Sequence, residues 1–385
     1  MREERFDVSE ILPYEGEHVR AALRRVSGYP ILSLIGRFLF PTWTSERFLE
    51  VFRSIDSVES FQDLLVGPAV KSILSQTSEG VEVVGLDTLS QSESCLFISN
   101  HRDIVLDPAI FAFYLRASGF PTVKVALGDN LLLNDWITDL IKLNKSLIVK
   151  RGVTGRAQFF ALKALSQVIR DQIDKNIDSV WIAQREGRAK DGLDRTQLAV
   201  LKMLALSRDS EQSVWDVIEP LKVTPVSMSY EYDPCDIMKA VEMIERERLG
   251  DAYEKGPNAD FESMLAGIQG QKGRIALTVG PRLKWEALGL SGEPQDHKDE
   301  DVLIAIKEFL DREILRGFKC FPSHAAAWML LHPESEWPES IPKPSEDELH
   351  RFEGRLLSRM DGISSEHQAE IRTRILEQYA NSVSL

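Results

Sequence analysis

From about residue 80 to 280 seven short apolar runs are separated by stretches of helical periodicity, and that alternation restricts what the chain can become. The runs span residues 81–86, 95–99, 122–126, 146–149, 179–183, 223–229 and 274–279, each of strand length. Between them, residues 135–143, 156–174 and 196–206 carry apolar side chains at helical spacing. Strands separated by helices of this length predict an α/β domain over residues 80–290, built on a mainly parallel sheet flanked by helices. Helical regions are expected on both sides. In residues 1–79 the helices are 45–55 and 61–74, with Ser60 as N-cap of the second. In the acid-rich residues 291–385 they are 299–315, 323–331, 346–360 and 365–380, with residues 333–344 as a Pro-rich linker. There is no internal repeat.

Composition narrows the function. At 43% hydrophobic and 28% charged, the chain is globular with material for a real core. Its net charge of -14 argues against nucleic acid as a partner, so phosphate recognition has to come from a local basic site. Cys95, Cys235 and Cys320 are few and widely spaced, which reads as reduced thiols in a cytosol. The amino-terminal residues 1–7 are charged and lack the apolar core of a secretory signal. No run approaches the roughly 20 apolar residues that span a bilayer. The nearest, 29–43, is interrupted by Arg37 and reads either as a buried core helix or as a segment lying in a membrane interface. The expected location is the cytoplasm, at the cytoplasmic face of a membrane.

Four segments can carry chemistry. Ser99-Asn100-His101-Arg102-Asp103-Ile104-Val105-Leu106-Asp107-Pro108 follows an apolar strand, so His101 sits where a sheet hands over to a loop, a usual place for catalytic groups. A histidine beside a carboxylate can take a proton from an attacking hydroxyl while the carboxylate steadies the ring. A solvated loop histidine is the plain alternative. Asp107, before Pro108, also suits a helix N-cap, and Asp103 suits an ion pair with Arg102 or a loop cap. Next, Lys142, Lys145, Lys150, Arg151, Arg156 and Lys163 form a run of positive charge with no acid between them. Arg151 follows a strand and Arg156 opens a helix, a favourable place for an anion; a solvated face is the alternative. Third, Glu186-Gly187-Arg188 lies just past another strand, where Gly187 lets backbone approach a ligand. Fourth, Val223-Thr224-Pro225-Val226 is a strand with an internal proline, expected at a sheet edge and suited to lining an acyl groove.

In this order the four segments resemble the glycerolipid acyltransferase superfamily, which includes glycerol-3-phosphate and 1-acylglycerol-3-phosphate acyltransferases. The family pattern runs His, four residues, Asp; an apolar strand with Arg; Glu-Gly-x-Arg; and an apolar stretch with Pro. Two departures stand out. Five residues separate His101 from Asp107, so either the loop bulges by one residue or Asp103 orients the histidine, and Arg188 follows Gly187 directly. His101-Arg102 and Phe321-Pro322-Ser323 look most like the bacterial glycerol-3-phosphate branch. The resemblance implies direct transfer, with His101 as general base and Asp107 or Asp103 as its partner. It also implies that Arg151, Glu186, Gly187, Arg188 and Arg102 hold the phosphorylated glycerol acceptor. The co-substrate is then acyl-CoA or acyl-carrier protein, without metal or other cofactor. The chain lacks the Gly-x-Ser-x-Gly elbow of an acyl-enzyme route and a His-Glu-x-x-His zinc motif. Peripheral membrane contact is expected through residues 31–40. Two other functions stay open: a hydrolase of lipids or phosphoesters with a metal on His101, Asp103 and Asp107, and a non-catalytic lipid-binding protein.

Overall fold

The computed structural model describes residues 6–338 and 341–382; the first five residues of the charged amino terminus and two residues of the 333–344 stretch lie outside them. All seven apolar runs are strands: β1 (Gly80–Val84), β2 (Leu96–Ser99), β3 (Lys124–Gly128), β4 (Ser146–Val149), β5 (Val180–Ala183), β6 (Thr224–Tyr230) and β7 (Arg274–Val279). They form one sheet in the order β1-β7-β6-β2-β5-β3-β4. Strands β6, β2, β5, β3 and β4 run parallel to one another, whereas β7 is antiparallel to β6 and parallel to β1. The carboxyl ends of five neighbouring strands therefore share one edge.

The edge position expected for the proline-containing strand is not what forms. Strand β6 lies inside the sheet between β7 and β2, and all seven of its residues are buried. Its proline is accommodated by position. The β6–β7 ladder begins at Val226↔Val279, one residue after Pro225, whose carbonyl still accepts from the Gly280 amide at 2.9 Å. On the β7 side the missing donor thus falls at the end of the ladder, while on the other side Pro225 stands in register with Ile98 of β2.

Alternation along the strands builds two cores. Leu96, Ile98, Val180 and Ile182 face one side of the sheet, while Phe97, Trp181, Val226 and Met228 face the other. Such period-two exposure to two apolar layers is what a parallel sheet covered on both faces requires. Among the described residues five helices precede the sheet: α1 (Glu17–Gly28), α2 (Ile31–Leu39), α3 (Ser45–Ser54), α4 (Val58–Phe61) and α5 (Gly67–Thr77). Seven lie between its strands: α6 (Leu106–Ala117), α7 (Asp135–Leu143), α8 (Gly155–Asp174), α9 (Leu198–Leu204), α10 (Val214–Ile218), α11 (Asp236–Leu249) and α12 (Ala259–Gln269). Four follow: α13 (Asp299–Gly317), α14 (Pro322–Leu331), α15 (Glu346–Arg359) and α16 (Ser365–Ala380). Helices α8 and α13 cover the first face of the sheet, and α5 and α6 cover the second. Helices α14, α15 and α16 pack with α11 into a separate apolar cluster.

The helix expected over 61–74 starts earlier and is interrupted. Ser57, not Ser60, is the N-cap, and Ser60 closes a reciprocal capping box with it. Residues Gln62–Val66 then widen into a π-helical turn before α5. Pro68 in the first turn of α5 has no amide to give to Leu64, so the regular bond cannot form there.

Helix α2 buries one face and exposes the other. A Cβ on Gly36 would lie 2.8 Å from Phe48, so this residue permits close packing. On the opposite face Leu34 is 61% and Phe38 is 43% exposed. Among the described residues no helix is long and apolar enough to cross a membrane.

Histidine 324 tests the carboxyl-terminal packing. It is buried in α14 beside Phe318, Phe321 and Tyr379, and its Nδ1 accepts from the Phe321 amide at 3.0 Å. Burial, with the nearby charge of Arg102, holds this imidazole down from 6.5 to about 3. The unfolded chain takes up a proton below pH 6.5 that the folded chain refuses until about pH 3. Its stabilising contribution is therefore complete above pH 6.5 and shrinks across that window, by at most ~1.4 kcal/mol per pH unit. Urea unfolding of wild type and His324→Gln at pH 7, 5.5 and 4.5 is expected to show the stability gap narrowing as pH falls. A gap independent of pH would show that His324 is not held neutral.

Candidate functional site

Each strand that ends on the shared edge delivers a polar group there. Strand β2 is wholly buried and runs into Asn100, whose side-chain amide bridges to Met228 of β6, giving 2.9 Å to its carbonyl and receiving 2.8 Å from its amide. The loop after β2 is tied to the loop after β5 by Gln184 N to Ser99 O at 2.8 Å and Ala189 N to His101 O at 3.1 Å. These bonds continue the sheet for a few residues past its strands and hold His101 rigidly at the rim.

The His101 ring donates from Nδ1 to Asp107 Oδ2 at 2.9 Å and meets the edge of Trp181 at a centroid distance of 5.9 Å. An ionised carboxylate can only accept, so Nδ1 carries the proton and Nε2 is left with a free lone pair. The His101 side chain is 16% exposed and the Asp107 side chain is not exposed at all. Asp107 is saturated: Oδ2 also accepts from the amides of Arg102 (2.6 Å) and Asp103 (3.0 Å), and Oδ1 accepts from the Tyr230 hydroxyl at 2.8 Å.

The structure decides between the two aspartates. The five-residue spacing is absorbed because the loop folds back and points two of its amides at Asp107. Asp107 is not the N-cap of α6, which begins one residue earlier at Leu106. Asp103 caps that helix, with Oδ1 accepting from Val105 N (2.9 Å) and Leu106 N (2.7 Å). Burial first, then the charge of Asp107, pushes the Asp103 carboxyl above its usual range. Its other oxygen lies against α12, where a Cβ on Gly267 would come within 2.0 Å. The carboxylate oxygens of Asp103 and Asp107, considered with His101 for a metal, are engaged here in the hydrogen bonds above or packed against α12. Among the described residues no group of three His, Cys, Asp or Glu could hold a metal ion.

The basic residues divide into two sets. Arg151 follows β4, its amide donates to Asp129 Oδ1 at 3.0 Å, and its Nε lies 3.5 Å from Glu186 Oε1 at the end of β5. Gly128 at the end of β3 passes directly beneath the Arg151 guanidinium, where a Cβ would come within 2.9 Å. This pair is partly solvated, with side-chain exposures of 33% and 67%. Gly187 beside it has φ +69°, a left-handed conformation that glycine adopts freely. Strand β4 lies three strands from β2, about 14 Å at the usual spacing. Both Arg151 and Glu186 thus stand along the edge from His101.

Arg188 and Arg102 turn away behind the loop. Arg188 is 6% exposed, with Nη1 buried without a protein acceptor. Burial works against its charge, but Cys235, Asp103 and Asp233 around it outweigh that and hold the guanidinium above its ordinary value. Arg102 pairs with Asp194 Oδ2 at 2.6 Å, donates to Ser382 Oγ at 3.0 Å and stacks over Phe318. Lys239 Nζ supports the same loop from beneath, donating to the Arg102 carbonyl at 2.9 Å and to Asp233 at 2.5 Å. Both arginines, read from the sequence as phosphate ligands, are turned here toward buried acids and Phe318.

The rest of the basic run disperses. Lys145 precedes β4 and pairs with Asp178 at 3.1 Å, at the opposite end of the strand from Arg151. Lys150 pairs with Glu10, and Arg156 in α8 stacks over Phe160. A strand separates residues by its length, so charges adjacent in sequence end up on opposite rims. Tyr230 was not singled out from the sequence, although it closes the strand beside β2 and the rule that marked His101 applies to it as well.

Residues 80–198 match the family model described as acyltransferase. That stretch holds β1 to β5, the His101–Asp107 pair and the Arg151–Glu186 pair. The matched stretch is less than half of the chain, and the match says nothing of donor or acceptor. No curated protein matches the chain. Among solved structures, the crystal structure of the 1-acyl-sn-glycerophosphate (LPA) acyltransferase PlsC from Thermotoga maritima is similar at 13% identity and a TM-score of 0.38. The similarity covers 77% of this chain and 94% of that one, and at that score it carries no argument.

Proposed function

We propose that this acyltransferase domain moves a fatty acyl group from acyl-CoA or acyl-carrier protein to a hydroxyl of glycerol-3-phosphate or 1-acylglycerol-3-phosphate. The observation that carries this reading is the His101–Asp107 pair, with Nδ1 bound to a buried carboxylate and Nε2 left as a base on the shared rim. In the proposed step His101 Nε2 takes the proton of the acceptor hydroxyl as its oxygen attacks the thioester carbonyl. The carbonyl carbon becomes tetrahedral, then collapses. The C–S bond breaks, the sulfur leaves as a thiol after taking the proton back from His101, and the new ester stays with the acceptor. Asp107 orients the ring and balances the transient imidazolium. Arg151 and Glu186, with Gly187 between the loops, are proposed to hold the phosphate and a free hydroxyl of the acceptor. A guanidinium suits bidentate contact with phosphate oxygens. Arg102 and Arg188 support the loop from behind. The exposed Leu34 and Phe38 of α2 are proposed to meet the lipid surface.

The test is thiol release from a long-chain acyl-CoA and from acyl-carrier protein, with the two acceptors run side by side. Release that depends on one phosphorylated acceptor supports the reading, and no release from any pair ends it. Arg151→Ala is expected to raise the KM for the acceptor about 10- to 100-fold, the loss of one charge-assisted contact. The KM for the donor should stay within about twofold of wild type on the same reasoning. An unchanged acceptor KM would remove Arg151 from the phosphate site.

A further inference from the structure

We propose that Tyr230 is a positioning residue for this reaction, acting on the histidine only through the carboxylate between them. The inference rests on the reading of His101 as general base. The Tyr230 hydroxyl donates to Asp107 Oδ1 at 2.8 Å, while the His101 ring occupies Oδ2. A carboxylate held on one oxygen alone can swing about its Cβ–Cγ bond. Held on both, it keeps its plane, and the ring bonded to it keeps its direction.

The fold gives the phenol no other task. Tyr230 is the last residue of β6, pairs in register with Ile275 of β7, and belongs to the same apolar cluster as Phe97, Leu106 and Met228. The hydroxyl meets Asp107 on Oδ1, whereas the loop amides and the ring share Oδ2. Burial, followed by the charges of Asp107 and Asp103, keeps this phenol protonated well above its ordinary range. It therefore stays a donor at any working pH. Asp107 itself has no exposed surface. The small cavity on the other side of Tyr230, about 20 Å³, is lined by Arg102, Asp233, His324 and Gln378 and does not include Asp107.

Tyr230→Phe deletes one oxygen and leaves the ring. One buried acceptor then loses its donor. The expected result is a fall in kcat of about 10- to 100-fold, with the acceptor KM changed by less than about twofold. Coupling separates positioning from mere structure. In an Asp107→Asn background, adding Tyr230→Phe is expected to cost less than about twofold more, because the carboxylate it holds is already gone. An equal loss in both backgrounds, or an unchanged kcat in the single variant, overturns the proposal.

A second measurement does not need turnover. In protein labelled with 15N-histidine, which has seven histidines, the Nδ1–H signal of His101 is assigned by its loss in His101→Gln. It is expected to weaken or vanish by exchange in Tyr230→Phe, and its persistence unchanged overturns the proposal. If the wild-type protein releases no thiol, the functional reading fails while this signal still decides what Tyr230 does.

Discussion

His101→Ala is expected to lower acyl transfer by about 100- to 10,000-fold while the protein keeps its fold, the range that a positioned general base supplies. The loss should fall on kcat. The ring takes a proton only as the hydroxyl attacks, so both substrates still bind without it. The fold should survive because the ring lies at the rim, touching the edge of Trp181 and one oxygen of Asp107. Asp107 keeps two loop amides and the Tyr230 hydroxyl after the ring is removed. The measurement is single-turnover thiol release, with a thermal melt on the same preparation. Transfer retained near the wild-type rate would take His101 out of the mechanism, and a collapsed melt would make it a structural residue.

Arg188→Met is expected to act in the opposite way, through stability rather than through the acceptor. The Arg188 side chain is sealed behind the loop that carries His101, where its charge faces Asp103 and Asp233. Methionine fills similar volume but removes the cation. Breaking one side of a buried charge cluster typically costs about 3–5 kcal/mol; Asp233 keeps its Lys239 partner, so the loss falls mainly on Asp103. Asp103 also caps α6, the helix that carries Asp107. Activity should therefore fall together with the urea midpoint, and the acceptor KM of the folded fraction should change little. A stable variant with a sharply raised acceptor KM would return Arg188 to the phosphate site.

These two outcomes mark how far the residues could be read in one dimension. Six of the seven strands were legible because each is a short apolar run buried largely on both faces, which leaves little freedom in where it lies; β1, at the sheet edge, is exposed or half-buried throughout and was legible from its apolar residues alone. His101 and Asp107 were legible because they flank the handover from strand to helix, although the extra residue between them left Asp103 as a rival. Only the folded loop resolves that rivalry, since it needs the amides of Arg102 and Asp103 turned toward one carboxylate. The basic run does not stay together, because charge adjacent in sequence is not charge adjacent in space once a strand divides it: Lys145 lies at the opposite end of β4 from Arg151. The proline of β6 misled because its cost depends on the neighbour its missing amide would have faced.

Local chemistry along the chain determined the secondary structure, the handover points and the residue types able to move a proton. Direction and company were decided by tertiary structure. Whether an arginine reaches solvent or a buried aspartate depends on segments far away: Ser382 meets Arg102 from 280 positions along the chain, and Tyr230 meets Asp107 from 123. Side-chain orientation at such sites follows from burial and from pairing of charge. Both are properties of the packed whole, which no local window of sequence contains.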